Sequence, residues 1–168
     1  FEQAHGGTLL LDEINSMDIT MQAKLLKVLE EKKVRRIGGQ KDINFDIRIV
    51  CAMNEKPLDV LKSGKMREDL YYRIGVVQMM VLPLRERKKD IMLLVNYFIN
   101  YYNKEMNMHV TGVSELVRNT FETYQWRGNV RELKNTVESA FNTVKNDIIT
   151  IKDIPDFISK SNENKIFG

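Results

Sequence analysis

Several things are scarce in this sequence, and each scarcity narrows what the chain can be. Its 168 residues hold one cysteine, Cys51. No internal disulfide can form, so the chain suits a reducing compartment. Cys51 lies among Ile49, Val50 and Ala52, company that suits a buried structural thiol better than a nucleophile. No apolar run approaches the roughly 18 residues that a transmembrane helix needs. The opening residues also lack the basic-then-apolar order of a secretion signal. The expected setting is therefore the cytoplasm, without a membrane partner. An excess of one charge is missing too: 26 basic and 23 acidic side chains leave a net charge of +3. That is too small to argue for nucleic acid. Two basic clusters, Lys32-Lys33-Val34-Arg35-Arg36 and Arg85-Glu86-Arg87-Lys88-Lys89, read as solvated helix ends or loops. There is no internal repeat and no initiator methionine. The chain opens almost directly on a core strand, so it is expected to be a piece of a longer protein.

What is present is organised around Gly6-Gly7-Thr8-Leu9-Leu10-Leu11-Asp12-Glu13. A short apolar run between a glycine pair and an acidic pair reads as a buried parallel strand. Open α/β sheets bind ligands at the C-terminal ends of such strands. There, one carboxylate can hold a hydrated Mg²⁺ and the other can polarise a water for attack on a phosphate. The pattern alone is equally compatible with two solvated acids at a strand end.

Downstream, Asp18 is a plausible N-cap for a helix running to about Glu31, with Gln22, Leu25, Leu26 and Leu29 at helical spacing. Residues Lys32 to Asn44, with Gly38-Gly39, read as a loop or weak hairpin. Phe45 to Ala52 reads as a second strand, ending at Asn54. A short helix from Leu58 to Ser63 follows Pro57. Arg67 to Arg73 is a charged, aromatic helical turn, and Val76 to Val81 reads as a third strand. Strands separated by helices predict an α/β layer with parallel strands.

After Leu82-Pro83-Leu84 the pattern turns helical and offers no convincing strand. Asp90 to Glu105 is amphipathic, with Ile91, Leu94, Val95, Phe98, Ile99 and Tyr102 on one face. Further helices are expected from Ser114 to Tyr124, from Asn129 with Glu132 close to a capping box, and from Thr150 to Ile158, the last open to interruption at Pro155. The division is thus an α/β part over 1–83, a helical part over 84–158, and a linker or tail over 159–168.

Certain segments, in this order, resemble a known family: residues 6–14, Gln-Ala-Lys-Leu-Leu-Lys-Val-Leu-Glu at 22–30, Arg-Glu-Asp-Leu-Tyr-Tyr-Arg at 67–73, Leu-Pro-Leu-Arg-Glu-Arg at 82–87 and Gly-Asn-Val-Arg-Glu-Leu at 128–133. Together they look like the AAA+ ATPase domain of sigma-54-dependent transcription activators, the bacterial enhancer-binding proteins. The resemblance implies an α/β P-loop-type core from the Walker B strand onward, then a small helical lid. It implies ATP and Mg²⁺ as cofactors, self-association into a ring of six or seven subunits, and sigma-54 RNA polymerase as partner. Asp12 would hold Mg²⁺ and Glu13 would activate water. Asn54 matches the first sensor of the γ-phosphate. Arg67 and Arg73, on different faces of a helix, match arginine fingers that reach a neighbouring subunit's nucleotide. Without the family they would be ordinary surface partners of Glu68 and Asp69. Arg131 matches the second sensor, on the lid. Residues Val34 to Asn44 match the family's second surface loop. Arg127 stands where the family carries a proline after Trp126, so a looser turn is expected there.

Two family motifs do not occur in the sequence. There is no Gly-x-x-x-x-Gly-Lys-Ser/Thr phosphate loop, since Gly64-Lys65 is followed by Met66, and no Gly-Ala-Phe-Thr-Gly-Ala loop. Both are expected before Phe1 in a longer parent. Without a phosphate cradle this chain alone is expected to be inactive. The resemblance implies a central strand leading into that phosphate loop, between the Asn54 strand and the Val76 to Val81 strand; without it two apolar edges are expected to be unpaired, so the piece should either associate through them or hold its helical part better. DNA would be read by a separate domain. The alternatives are another AAA+ remodelling ATPase and a non-catalytic oligomerisation module.

Overall fold

The computed structural model describes residues 1–160. Its chain forms two compact units, Phe1–Met79 and the part from Met80 onward, each with its own apolar core.

In the first unit, β1 (Thr8–Leu11) pairs in parallel with β4 (Arg48–Cys51), Leu9 facing Ile49 and Leu11 facing Cys51. A parallel pair needs a crossover, and α1 (Ile19–Glu31) lies within it. Asp18 caps α1 by accepting from the Met21 N–H at 2.9 Å. Lys32, at φ 52, ends the helix in the left-handed region. The polar stretch that follows is an antiparallel hairpin, β2 (Lys33–Arg35) with β3 (Asp42–Asn44). Two short helices complete the unit: α2 (Pro57–Lys62), with proline in its first turn where the missing N–H costs nothing, and α3 (Glu68–Ile74). Ile14, Leu25, Leu29, Val60, Met66 and Leu70 form the core.

Three sequence expectations change here. Strand β1 is parallel as expected but not buried, with Leu10 59% exposed. The second strand is shorter than 45–52, because only Arg48–Cys51 stands opposite β1. The expected third strand over 76–81 does not form. Val76, Val77, Met79, Met80 and Val81 are 79–87% exposed. Their β propensity is real, but a strand exists only where a neighbour completes its hydrogen-bond ladder, and none does so among the described residues.

In the second unit, α4 (Lys88–Met106), α5 (Glu115–Thr123) and α6 (Asn129–Phe141) enclose a core that includes Ile91, Val95, Phe121, Trp126, Leu133 and Val137. Ser114 caps α5 through the Val117 N–H. Two strands absent from the sequence reading also appear: β5 (Gly112–Val113) and β6 (Ile148–Ile149), parallel to each other. Two residues are too few to imprint a period of two. The last helix is shorter than 150–158. Thr150 donates its N–H and hydroxyl to Asp153 Oδ2 in a turn, and α7 spans only Asp156–Ser159, after Pro155. The expected tail lies, from residue 161 on, outside the described residues.

The turn into α6 is tight rather than loose. Trp126 is fully buried with φ 45. Its Nε1–H donates to Phe121 O at 2.7 Å, and its own carbonyl accepts from the Asn129 N–H at 2.8 Å. Asn129 does not cap its own helix; its Oδ1 accepts from the Leu84 N–H. Gly128 takes the N-cap position, and its N–H donates to Glu132 Oε2 at 2.8 Å. A Cβ on Gly128 would stand 2.8 Å from Glu132 Cβ, which explains the glycine.

Candidate functional site

The acid pair follows β1 directly, and hydrogen bonds beyond the paired strands hold it beside the end of β4. Ala52 N–H donates to Leu11 O and Ile14 N–H to Ala52 O. Glu13 turns the chain sharply, with φ 48 and ψ 45, a left-handed conformation that costs a non-glycine residue about 1 kcal/mol. Asp12 Oδ1 supports the turn by accepting from the Glu13 N–H at 3.0 Å. Both acids are exposed. Across from them, Asn54 Nδ2 approaches Glu13 Oε1 at 3.5 Å, the outer limit of a hydrogen bond. Asp12, Glu13 and Asn54 thus converge at adjacent strand ends.

Behind them lie residues to which the sequence reading gave no part in the site. Asn15 is buried, and its Nδ2 donates to Asn54 Oδ1 at 2.8 Å and to Glu55 Oε1 at 3.1 Å. Glu55 also receives Lys65 Nζ on both oxygens, at 2.8 and 2.9 Å. The Lys65 ammonium holds the Glu55 carboxyl below the usual carboxylate range, with Asn15 adding to the effect. Gln22 is fully buried and uses its whole amide: Nε2 donates to Met17 O and Lys65 O, and Oε1 accepts from the Arg67 N–H. An isolated amide within an apolar helical stripe was the one sequence signal for Gln22.

The arginines are arranged differently from the expectation. Arg67 precedes α3 at its N-cap position instead of lying on a helical face. Its guanidinium grips Asp69, with Nε to Oδ1 at 3.0 Å and a terminal nitrogen to Oδ2 at 2.7 Å, which holds the Asp69 carboxyl down. Arg73, in the last turn of α3, donates to Leu29 O at 3.1 Å. Neither bonds to the acid pair among the described residues. Arg131 belongs to the second unit. It is exposed in the first turn of α6, on a shallow groove with Gly128, Asn135, Pro155 and Phe157. A cation there opposes the helix dipole.

No group of three or more His, Cys, Asp or Glu side chains that could hold a metal occurs among the described residues. The donor set fits Mg²⁺ nonetheless. That ion keeps several waters and takes one or two carboxylates together with phosphate oxygens, and Asp12 offers a carboxylate oxygen beyond the one used by Glu13 N–H. No helix among the described residues is long and apolar enough to cross a membrane.

A parallel strand ending in an acid pair, a polar side chain just past the next strand's end and a separate helical unit fit the α/β core and lid of an AAA+ ATPase domain. The chain belongs to the sigma-54 interaction family of these domains. The family model for the sigma-54 interaction domain matches residues 1–80, and that for the AAA+ ATPase lid domain matches residues 85–166. It is similar to the transcriptional activator RocR of Bacillus subtilis, 50% identical over 92% of this chain and 34% of that protein. It is also similar to the regulatory protein AtoC of Escherichia coli, 41% identical over 92% of this chain and 34% of that protein. The chain therefore spans about a third of these relatives. Among solved structures, NtrX from Brucella abortus in complex with ATP matches with a TM-score of 0.87 and 30% identity, covering 94% of this chain and 38% of that one.

Proposed function

We propose that this chain supplies the metal-holding and water-activating half of an ATPase site. The intact protein would hydrolyse ATP between the subunits of a six- or seven-membered cytoplasmic ring, remodel sigma-54 RNA polymerase and so activate transcription. The observation that supports this most is the meeting of Glu13 and Asn54 across adjacent strand ends, 3.5 Å apart.

Asp12 would hold Mg²⁺ through water. Once bound, Mg²⁺ supplies charge neutralisation on the phosphate oxygens. Glu13 is exposed and carries a single long side-chain contact among the described residues, so its carboxylate is available to accept a proton from an attacking water. Asn54 offers N–H donors to Glu13 and to a terminal phosphate. Arg67 and Arg73 would reach the nucleotide of a neighbouring subunit. The Arg67–Asp69 pair lies in solvent, where an ion pair is weak and is readily exchanged for a phosphate. Arg131 would contact its own subunit's nucleotide from the lid. DNA would be read by a separate domain. The pairing of Arg67 with Asp69 also favours a second reading, in which the arginines only pack an oligomer.

The test is Glu13→Gln in a protein that carries this sequence together with a phosphate-binding loop. ATP turnover should fall by about 10²-fold or more as water activation is lost. Unchanged turnover would favour the non-catalytic reading. The 168 residues alone should release no phosphate from ATP with Mg²⁺, since no loop cradles the phosphates.

A further inference from the structure

Asn15 stands two residues after an exposed acid pair, yet it is only 6% exposed. Its Nδ2 serves two acceptors, Asn54 Oδ1 at 2.8 Å and Glu55 Oε1 at 3.1 Å. Its own Oδ1 is buried with no hydrogen-bond partner, a state that native interiors rarely tolerate.

The chemistry of the primary amide explains the arrangement. An asparagine presents an acceptor on one side and donors on the other. Asn54 is exposed, and its 3.5 Å contact to Glu13 is only a weak guide to which side meets the acid. Asn15 decides it. By donating to Asn54 Oδ1, it occupies the acceptor and leaves Asn54 Nδ2 toward Glu13. The opposite orientation would set Nδ2 of Asn54 against Nδ2 of Asn15 and a carbonyl oxygen against the Glu13 carboxylate, and both contacts repel. Asn15 cannot itself turn over, because its Oδ1 would then meet Glu55. Lys65 Nζ, on both Glu55 oxygens, keeps that carboxylate an acceptor. Donors therefore point outward from Asn15, to Glu55 on one side and to Asn54 on the other, and from Asn54 on to Glu13.

We infer that Asn15 is a positioning residue of the hydrolytic site, fixing the Asn54 amide with its donors toward Glu13 and toward the phosphate. Its use in hydrolysis rests on the ATPase reading above; its geometry does not.

Asn15→Asp keeps the shape and reverses the sense, since a carboxylate at position 15 needs a donor from Asn54. The side-chain amide resonances of Asn54 in ¹H–¹⁵N spectra of the chain report the outcome. With Asn15 in place, Glu13→Gln shifts those resonances. With Asn15→Asp, the same Glu13→Gln change should leave them where they are. Asn15→Ala, which adds no charge, guards against misfolding and should at least halve the response. An equal response to Glu13→Gln in all backgrounds overturns the inference. The second readout is ATP turnover in a protein that also carries a phosphate-binding loop. Asn15→Asp should lower kcat about tenfold, in the range usual for outer-shell partners, with KM for ATP unchanged. If kcat is unaffected while Glu13→Gln abolishes turnover, the ATPase reading stands and the positioning role of Asn15 fails. If Glu13→Gln leaves turnover intact, the ATPase reading falls and takes the role of Asn15 with it.

Discussion

Replacing Gln22 by leucine should unfold the first unit more easily while leaving the second untouched. The two side chains are close in size, so the change removes polar bonds and opens little space. Gln22 holds Met17 O and Lys65 O at 2.8 Å and the Arg67 N–H at 2.9 Å, in a fully buried position. Three hydrogen bonds are worth about 1 kcal/mol each, and the unmet Arg67 N–H adds its desolvation cost of about 1–3 kcal/mol. The leucine recovers about 1–2 kcal/mol by apolar burial. The balance is a loss of about 3 kcal/mol. With a urea dependence of about 1–3 kcal/mol/M for small domains, the midpoint should drop by about 1 M or more. Backbone amides of residues 8–74 follow the first unit. Trp126, the sole tryptophan, follows the second by fluorescence. The Arg67 amide should lose its protection from hydrogen exchange. A loss below about 1 kcal/mol together with an unchanged Arg67 exchange rate would refute the reasoning.

Other perturbations follow from the same geometry. Gly128→Ala should destabilise the second unit by about 1–3 kcal/mol, as overpacking does, because the new Cβ meets Glu132 Cβ at 2.8 Å; thermal melts followed by Trp126 fluorescence measure it. The phenols of Tyr102 and Tyr124 are pushed above their ordinary range, first by burial and then by bonds to Glu138 and Glu132. A raised folded-state pKa gives stability that is complete below the unfolded value of about 10 and is lost as pH rises through the folded value. Unfolding of the second unit should therefore steepen above about pH 10, and Tyr102→Phe should flatten that slope. The exposed apolar segment over 76–82 should make the chain self-associate as concentration rises. Val77→Lys with Val81→Lys should suppress this, and light scattering after size exclusion that finds a clean monomer of the unaltered chain at high concentration would count against it.

How much of this was legible in the sequence depended on the range of the interactions involved. The run Leu9 to Leu11 between glycines and acids, the Asp18 cap and the stripe of α4 are local patterns, and they form where expected, although the strand itself is not buried. The segment over 76–81 carries the same β-branched signal but lacks a neighbour, and propensity cannot supply one. Asn15 and Gln22 failed to show for a related reason. Their partners lie 39 and 45 residues away, at Asn54 and Arg67. In sequence they look like a loop cap and a stray polar residue in an apolar stripe.

Those two amides also explain why the acid pair and the arginine at the start of α3 share one small unit. From Glu13 the contacts pass to Asn54, Asn15, Glu55 and Lys65, and then through the Lys65 carbonyl and Gln22 to the Arg67 N–H. The links between residues are hydrogen bonds, the path crosses Lys65 along its own side chain, and two of its members, Asn15 and Gln22, are buried amides. A buried polar chain gives little stability over apolar packing where both partners are replaced together, and costs much to break where one partner is left unmet. What it supplies is orientation, because an amide between fixed partners has one allowed sense whereas an aliphatic side chain has none. An apolar core at these positions could still pack β1, α1 and α3 together, though it would leave the Arg67 N–H unmet. It could not dictate which face of Asn54 meets Glu13, nor where the backbone of Arg67 begins its helix. The burial of polar groups just behind the exposed acids therefore fits a site whose geometry matters more than its stability.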